Sequence, residues 1–248
     1  MPRTLTAAGD GVAGGQGGIL VSGTSAEFYR RNARRYADVA HAYTQSVYVE
    51  SSHPALTDDS VLLSRALALS PGGRCLDAGC GAGARDVFAL WRTGCDVCGI
   101  DAVLENILVA QEMHPEIADR VSVADLRQTL PFEDASFDLV LCNAVIQHIP
   151  RDEVMHTTLP ELARVLRPAG VLQLMFKHGT GVLSLFDADY GEDRSFLLYD
   201  EQEVLHALVS LGMDLVEKDD AGMGGIMYFT DPKGAGHCVF HMRKGYVR

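Results

Sequence analysis

From Gly73 onward, short continuous apolar runs alternate with segments whose apolar residues recur at helical spacing. That alternation predicts strands and helices taking turns, joined by right-handed crossovers into a parallel sheet. The first run, Cys75-Leu76-Asp77-Ala78, leads into a helix over 84–93 that stops at Gly94. A second run ends at Asp101, before a helix over 102–113 that stops ahead of Pro115. Val121 to Asp125 and Phe137 to Asn143 read as the third and fourth strands. Pro160 fits the first turn of a helix capped by Thr157 or Thr158, so 152–166 divides into two short helices. Strand Val171 to Lys177 follows, then a helix carrying Val204, Leu205 and Leu208 that ends at Gly212. Strands near 213–218 and 237–243 bring the count to seven. The expected fold is α/β, a doubly wound, mostly parallel seven-stranded sheet with helices on both faces.

Upstream the pattern changes. Residues 1–23 hold seven glycines and no periodic apolar face, which predicts a flexible tail. Residues 24–70 are helical by spacing, with Phe28, Tyr29, Ala33, Tyr36 and Ala37 forming one apolar set and Leu62, Leu63, Ala66, Leu67 and Leu69 another. The organisation expected is a tail over 1–23, a helical region over 24–70 and the α/β domain over 71–248. Within that domain, 179–199 is too long for an ordinary connection and mixes glycines with Phe186, Tyr190, Phe196 and Tyr199. Long connections of this kind are often functional lids.

The segment richest in chemistry is Asp77-Ala78-Gly79-Cys80-Gly81-Ala82-Gly83. Glycines at alternate positions allow positive-φ turns and let a ligand lie against the main chain. Gly79, Gly81 and Ala84 satisfy a dinucleotide fingerprint in form. Asp77 opposes that reading, because a carboxylate beside the turn repels a pyrophosphate and suits a ligand bearing an ammonium and a sulfonium.

These residues resemble the class I S-adenosylmethionine (SAM)-dependent methyltransferase family, small-molecule branch. The resemblance extends through Asp101, Asp125, Phe137–Asn143 and Leu162-Ala163-Arg164-Val165-Leu166-Arg167-Pro168-Ala169-Gly170, covering roughly residues 70 to 180. It implies SAM as cofactor, with its methionine end at Asp77, Gly79 and Gly81, its ribose at Asp101 and its adenine at Asp125. Ala102, Leu126 and Asn143 complete that set, with Tyr36 from an N-terminal helix that closes over the cofactor as a lid. Tyr29, Arg34 and Tyr43 are further lid candidates. The insertion 179–199 is then the cover of an acceptor pocket.

Ligands of open α/β sheets bind outside the carboxyl ends of the strands. The fourth and fifth ends carry His148 and His178, the candidate bases for an acceptor hydroxyl. Asp187, Asp189, Glu192 and Asp193 make the insertion acidic, which would attract a cationic acceptor, whereas Arg194 and Lys177 would hold an acidic one. The resemblance implies transfer of a methyl group to nitrogen or oxygen of a small-molecule, secondary-metabolite acceptor. C-methylation, a nicotinamide-dependent oxidoreductase and a non-catalytic SAM-binding protein are the alternatives.

Composition narrows the partners. A net charge of −12 over 248 residues disfavours a nucleic-acid surface. No apolar run approaches the ~20 residues of a membrane span, and the N-terminus lacks a signal-peptide layout, so a cytoplasmic location is expected, with a homodimer left open. The six cysteines do not suggest a disulfide framework. Cys95 and Cys98 have a metal-like spacing, but residues three apart on a strand point to opposite faces, and no metal is expected.

Overall fold

The computed structural model describes residues 17–43, 47–70, 73–220 and 223–246, with the side chains of the first segment described from Ser25 to Ala40. In chain order the elements begin with α1 (Gly17–Tyr43), β1 (Glu50–Ser51), α2 (Asp59–Leu69), β2 (Arg74–Ala78), α3 (Arg85–Arg92), β3 (Asp96–Asp101), α4 (Leu104–Met113) and β4 (Val121–Val123). There follow β5 (Phe137–Asn143), α5 (Arg151–Glu153), α6 (Leu159–Val165), β6 (Leu166–Lys177), β7 (Val182–Asp187) and β8 (Glu192–Leu197). The chain closes with α7 (Glu201–Ser210), β9 (Met213–Leu215), β10 (Met227–Thr230) and β11 (Gly236–Lys244).

Side chains alternate across the central strands and so build two cores. On β5, Val140 and Cys142 join Leu76, Leu172 and Leu174 beneath α6 and α7. Leu139 and Leu141 face the other way, onto Cys75, Val87, Leu90 and Ile107 beneath α3 and α4. Strands buried on both faces explain the unbroken apolar runs in the sequence. Each fully buried Leu or Val contributes roughly 1.5–3 kcal/mol relative to exposure, so this sandwich dominates the stability of the domain.

The sheet order is β1-β10-β11-β6-β5-β2-β3-β4, with β9 also paired to β11. Pairings from β4 to β6 are parallel, and β11 enters antiparallel to β6. The sheet has nine strands among the described residues, not seven, because β1 and β10 extend the edge beyond β11. β2 sits between β3 and β5, so the strand order reverses there and a crevice opens above their carboxyl ends.

Several local expectations change. The helix over 152–166 divides as expected, at a π turn over Val154–Thr158, but neither threonine supplies the cap. The Thr158 hydroxyl donates instead to the Leu126 carbonyl. The stretch 179–199 is no irregular loop; it folds into the antiparallel hairpin β7–β8. Helix α1 starts at Gly17, inside the segment expected to be a tail, and residues 1–16 lie outside the described residues.

Candidate functional site

The site grows from the turn after β2. Gly79, Gly81 and Gly83 hold φ of +99°, +64° and +92°, in the left-handed region that a side chain disfavours. A Cβ on Gly79 would overlap the Val145 side chain, and one on Gly81 would lie 3.1 Å from the Tyr36 ring. The amides of Gly79 and Cys80 both donate to the Ile100 carbonyl, at 2.8 and 2.9 Å, tying the turn to β3. α3 then begins at a left-handed Ala84 with no side-chain cap, so its first amides are not spent on a neighbouring hydroxyl or carboxylate.

Three acids ring the turn. Asp101 at the end of β3 accepts from the Gly81 amide at 3.0 Å, the Val103 amide at 2.8 Å and the Asn106 side chain at 3.1 Å, so its carboxylate is fixed in place. Asp125 is gripped by Arg127, which holds it below the usual carboxylate range against the effect of burial. Asp77 is buried at the foot of the turn, and its carboxyl is pushed well up, first by burial and then by the Asp86 charge. Such a pocket favours the arrival of a cation, which would relieve both effects.

Two adjoining cavities open at this crevice, sharing Tyr29, Tyr36, Gly79, Asn143 and Ala144. The smaller, about 130 Å³, is walled by Gly81, Asp101, Ala102, Asp125 and Leu126. The larger, about 230 Å³, runs from Asp77 and Asn143 past Lys177 to the hairpin. All nine residues expected to contact a cofactor line one chamber or both. Asn143 is fixed between Asp86 and Gln173, donating to the former and accepting from the latter.

Helix α1 roofs both chambers. Ala33 and Ala37 pack on Ala82 of the glycine turn, a small-residue contact that brings Tyr29 and Tyr36 over the crevice. Arg34 points elsewhere and pairs with Glu112 at the surface; the side chain of Tyr43 lies outside the described residues. Arg194 of β8 joins roof and hairpin. It donates to the Tyr29 hydroxyl at 2.7 Å, pairs with Asp187 at 3.1 Å and lies against the rings of Phe28, Tyr29, Tyr190 and Phe196.

The two expected bases are both placed away from the larger chamber. His148 lines the smaller one, its Nε2 3.1 Å from the Tyr29 hydroxyl and its Nδ1 3.2 Å from the Ser25 hydroxyl. Burial, with the charge of Arg194, pushes it down to about 3, so the ring is neutral and weakly basic. His178 lines neither cavity; it meets Tyr228 edge-on and lies beside Gly236. The acidic insertion is likewise not an open anionic rim. Asp187 is buried between Arg194 and Lys233, Asp189 pairs with Lys233, and Glu192 binds Arg31 and Asn32.

The residues that line the larger chamber without having been singled out come mainly from the C-terminal edge. Asp231, Lys233 and His237 border the β10–β11 turn, while Tyr48 and Phe229 stack 3.7 Å apart. At the glycine turn, Arg85 bridges Asp86 and Asp59, both at 2.8 Å. Nothing local in the sequence marks the C-terminal group, since antiparallel pairing across β6 and β11 creates the juxtaposition. Arg85-Asp86, directly after the glycines, was open to inspection. All six cysteines are free; burial pushes the thiols of Cys75 and Cys98 up to about 12 and 11.

Residues 76–174 match a family model described as a methyltransferase domain. The methyltransferase GfsG of Streptomyces halstedii is 30% identical over 171 residues, covering 61% of this chain and 60% of that protein. A ubiquinone biosynthesis O-methyltransferase of Xanthomonas campestris is 30% identical over 156 residues, covering 61% and 62%. The chain thus spans about 60% of the length of these curated relatives. Among solved structures, the Burkholderia thailandensis 1,6-didemethyltoxoflavin-N1-methyltransferase, with its substrate and S-adenosylhomocysteine bound, superposes with a TM-score of 0.65 at 19% identity. The match covers 95% of this chain and 93% of that one.

Proposed function

We propose that the chain, whose residues 76–174 match a methyltransferase domain, is a class I, Rossmann-like SAM-dependent methyltransferase that moves a methyl group from SAM to a nitrogen or oxygen of a small-molecule, secondary-metabolite acceptor. The observation that carries this reading is the pair of joined chambers at the switch point. One is lined by the acids Asp101 and Asp125, and the other opens from Asp77 toward a separately walled space.

The residues present fit the cofactor. Gly79 and Gly81 hold a bare positive-φ turn along the chamber wall, Asp101 presents a pre-fixed carboxylate suited to ribose hydroxyls, and Leu126 gives an apolar surface for adenine beside Asp125. Buried Asp77 suits the ammonium and sulfonium and disfavours a nicotinamide dinucleotide, whose pyrophosphate would meet a carboxylate there. When bound, the cofactor supplies a methyl group made electrophilic by the sulfonium. Asn143 and Tyr36, which border both chambers, would orient the reacting ends. The roof of α1 and the hairpin would exclude water.

In this reading His148 serves the roof, not the acceptor. Its neutral ring has both nitrogens engaged by α1, and His148→Gln is expected to weaken cofactor retention without changing the pH profile of methyl transfer. The activity of a relative 30% identical, a ubiquinone biosynthesis O-methyltransferase, supports a heteroatom acceptor over carbon. A screen of phenols, enols and heteroaromatic amines with isotopically methyl-labelled SAM tests the proposal. Label in an oxygen- or nitrogen-bound methyl supports it, whereas label on carbon, or SAM bound with no turnover of any acceptor class, counts against it.

A further inference from the structure

Strand β11 lies antiparallel to β6 with His237 directly opposite Lys177, so the two side chains emerge on the same face of the sheet, toward the larger chamber. Lys177 Nζ is 3.1 Å from His237 Nε2, and that same ring nitrogen is 3.0 Å from Asp231 Oδ2. All three groups line the chamber. His237 is held flat on Phe229, with ring centroids 4.7 Å apart and planes 2° from parallel, so the ring cannot swing to serve its two neighbours in turn.

One ring nitrogen cannot satisfy both contacts if every group carries its ordinary charge. An ionised Asp231 can only accept, so at 3.0 Å it requires a hydrogen on Nε2. An ammonium at Lys177 can only donate, so at 3.1 Å it requires a lone pair on the same atom. Asp231 accepts the backbone amides of Lys233 and Ala235 on its other oxygen, both at 2.9 Å, which favours the carboxylate, so the hydrogen belongs to Nε2. His237 Nδ1 is buried with no partner, and burial disfavours a second proton on the ring. The nitrogen of Lys177 therefore faces an N–H, which a neutral amine accepts and an ammonium does not.

We propose that Lys177 is a neutral amine that acts as the acceptor-side base, and that the acceptor is a planar molecule bearing an acidic hydroxyl, a phenol or an enol. The inference rests on the methyltransferase reading of this site and narrows its acceptor to oxygen. In the step, the Lys177 amine turns about its Cε–Nζ bond so that its lone pair leaves the His237 N–H, which stays directed at Asp231, and takes the hydroxyl proton, giving an ammonium. The oxygen lone pair forms the new C–O bond as the methyl–sulfur bond breaks and its electron pair stays on sulfur. The proton on Lys177 then leaves to solvent, which restores the amine. The ammonium formed during the step rests against Asp231 at 3.5 Å and against the oxygen it has deprotonated.

The charges around the amine agree with this assignment. Burial lowers the basicity of Lys177, Asp231 opposes that effect, and Arg194 and Lys233 add to it. From the hairpin side Asp187 neutralises Arg194 and Lys233, leaving Asp231 as the counter-ion next to the amine. The Tyr48, Phe229 and His237 stack forms a flat wall on which a ring can lie.

The chain holds four lysines, at 177, 218, 233 and 244, which makes a direct measurement practicable. Lysine-13Cε NMR titration of the full chain, assigned with Lys177→Arg, should show Lys177 losing its proton at least one pH unit below Lys218, about a tenfold difference in acidity. His237→Leu, which removes the facing N–H, should move Lys177 back toward Lys218. In parallel, 4-nitrophenol, which absorbs visibly only when ionised, should bind as phenolate to the wild type at a pH where it is protonated in solution, and as the phenol to Lys177→Met. A Lys177 that titrates with Lys218, or a bound 4-nitrophenol that stays protonated in the wild type, overturns the proposal. Calorimetric SAM binding on the same samples judges the methyltransferase reading separately, since it does not depend on the state of Lys177.

Discussion

Asp77 shows most clearly how one residue carries information at two levels. In the sequence it is an acid where a phosphate-binding turn would not place one; in the structure it is buried among Asp86, Arg85 and Asp101 with its carboxyl pushed well up. A bound cation favours the carboxylate, so binding SAM should expel a proton. The sign follows: affinity rises with pH until the raised carboxyl is fully ionised and is flat above that point. Calorimetry across a pH series should show this slope for the wild type and a weaker, nearly level affinity for Asp77→Asn. The three acids around the turn were legible because Asp101 closes β3 while Asp77 and Asp125 lie within two residues of the ends of β2 and β4. His148 and His178 were not resolved by strand-end reasoning, which locates a residue near the crevice without saying which chamber it faces. The Lys177–Asp231–His237 group was hidden for a related reason, since its members come together only through the β6–β11 register.

At the scale of elements, β2–α3–β3 follows the sequence closely because each buried strand is a continuous apolar run ending in an acid and a turn. The hairpin β7–β8 escaped because its glycines and acids carry the composition of a loop, whereas its pairing, Val182 with Leu197 through Asp187 with Glu192, is long-range information. Helix α1 was expected from spacing, and its docking depends on contacts that no local pattern encodes. Arg194 is the main link, inserted among four rings and bonded to Tyr29. Replacing it with Met keeps the bulk but loses the charge-assisted bond and leaves Asp187 with one cation fewer, a loss on the order of 2–4 kcal/mol. Hydrogen–deuterium exchange of the Arg194→Met protein should show faster exchange in α1 and in the hairpin, with β2, β5 and β6 unchanged. Unchanged exchange in α1 would mean that the alanine contact on Ala82 is enough to hold the roof.

For the molecule as a whole, the sheet order places a reversal beside β2, and the crevice above it opens into two adjoining chambers. Many activities share this architecture, so the assignment rests on the acids and glycines that line the crevice and not on the fold alone. The edge formed by β1, β10 and β11 supplies the distal wall of the larger chamber. Of these, β1 and β10 are the strands beyond the seven expected. The central claim is that this crevice is a SAM platform. Parallel calorimetric titrations with SAM, S-adenosylhomocysteine, NADH and NADPH test it most directly. The sulfur cofactors should bind in the micromolar range, about ten- to a hundredfold more weakly after Asp101→Ala, with no heat from the nicotinamides. Binding of NADH or NADPH in place of SAM would contradict the account at its base, because it would require a pyrophosphate to settle against Asp77.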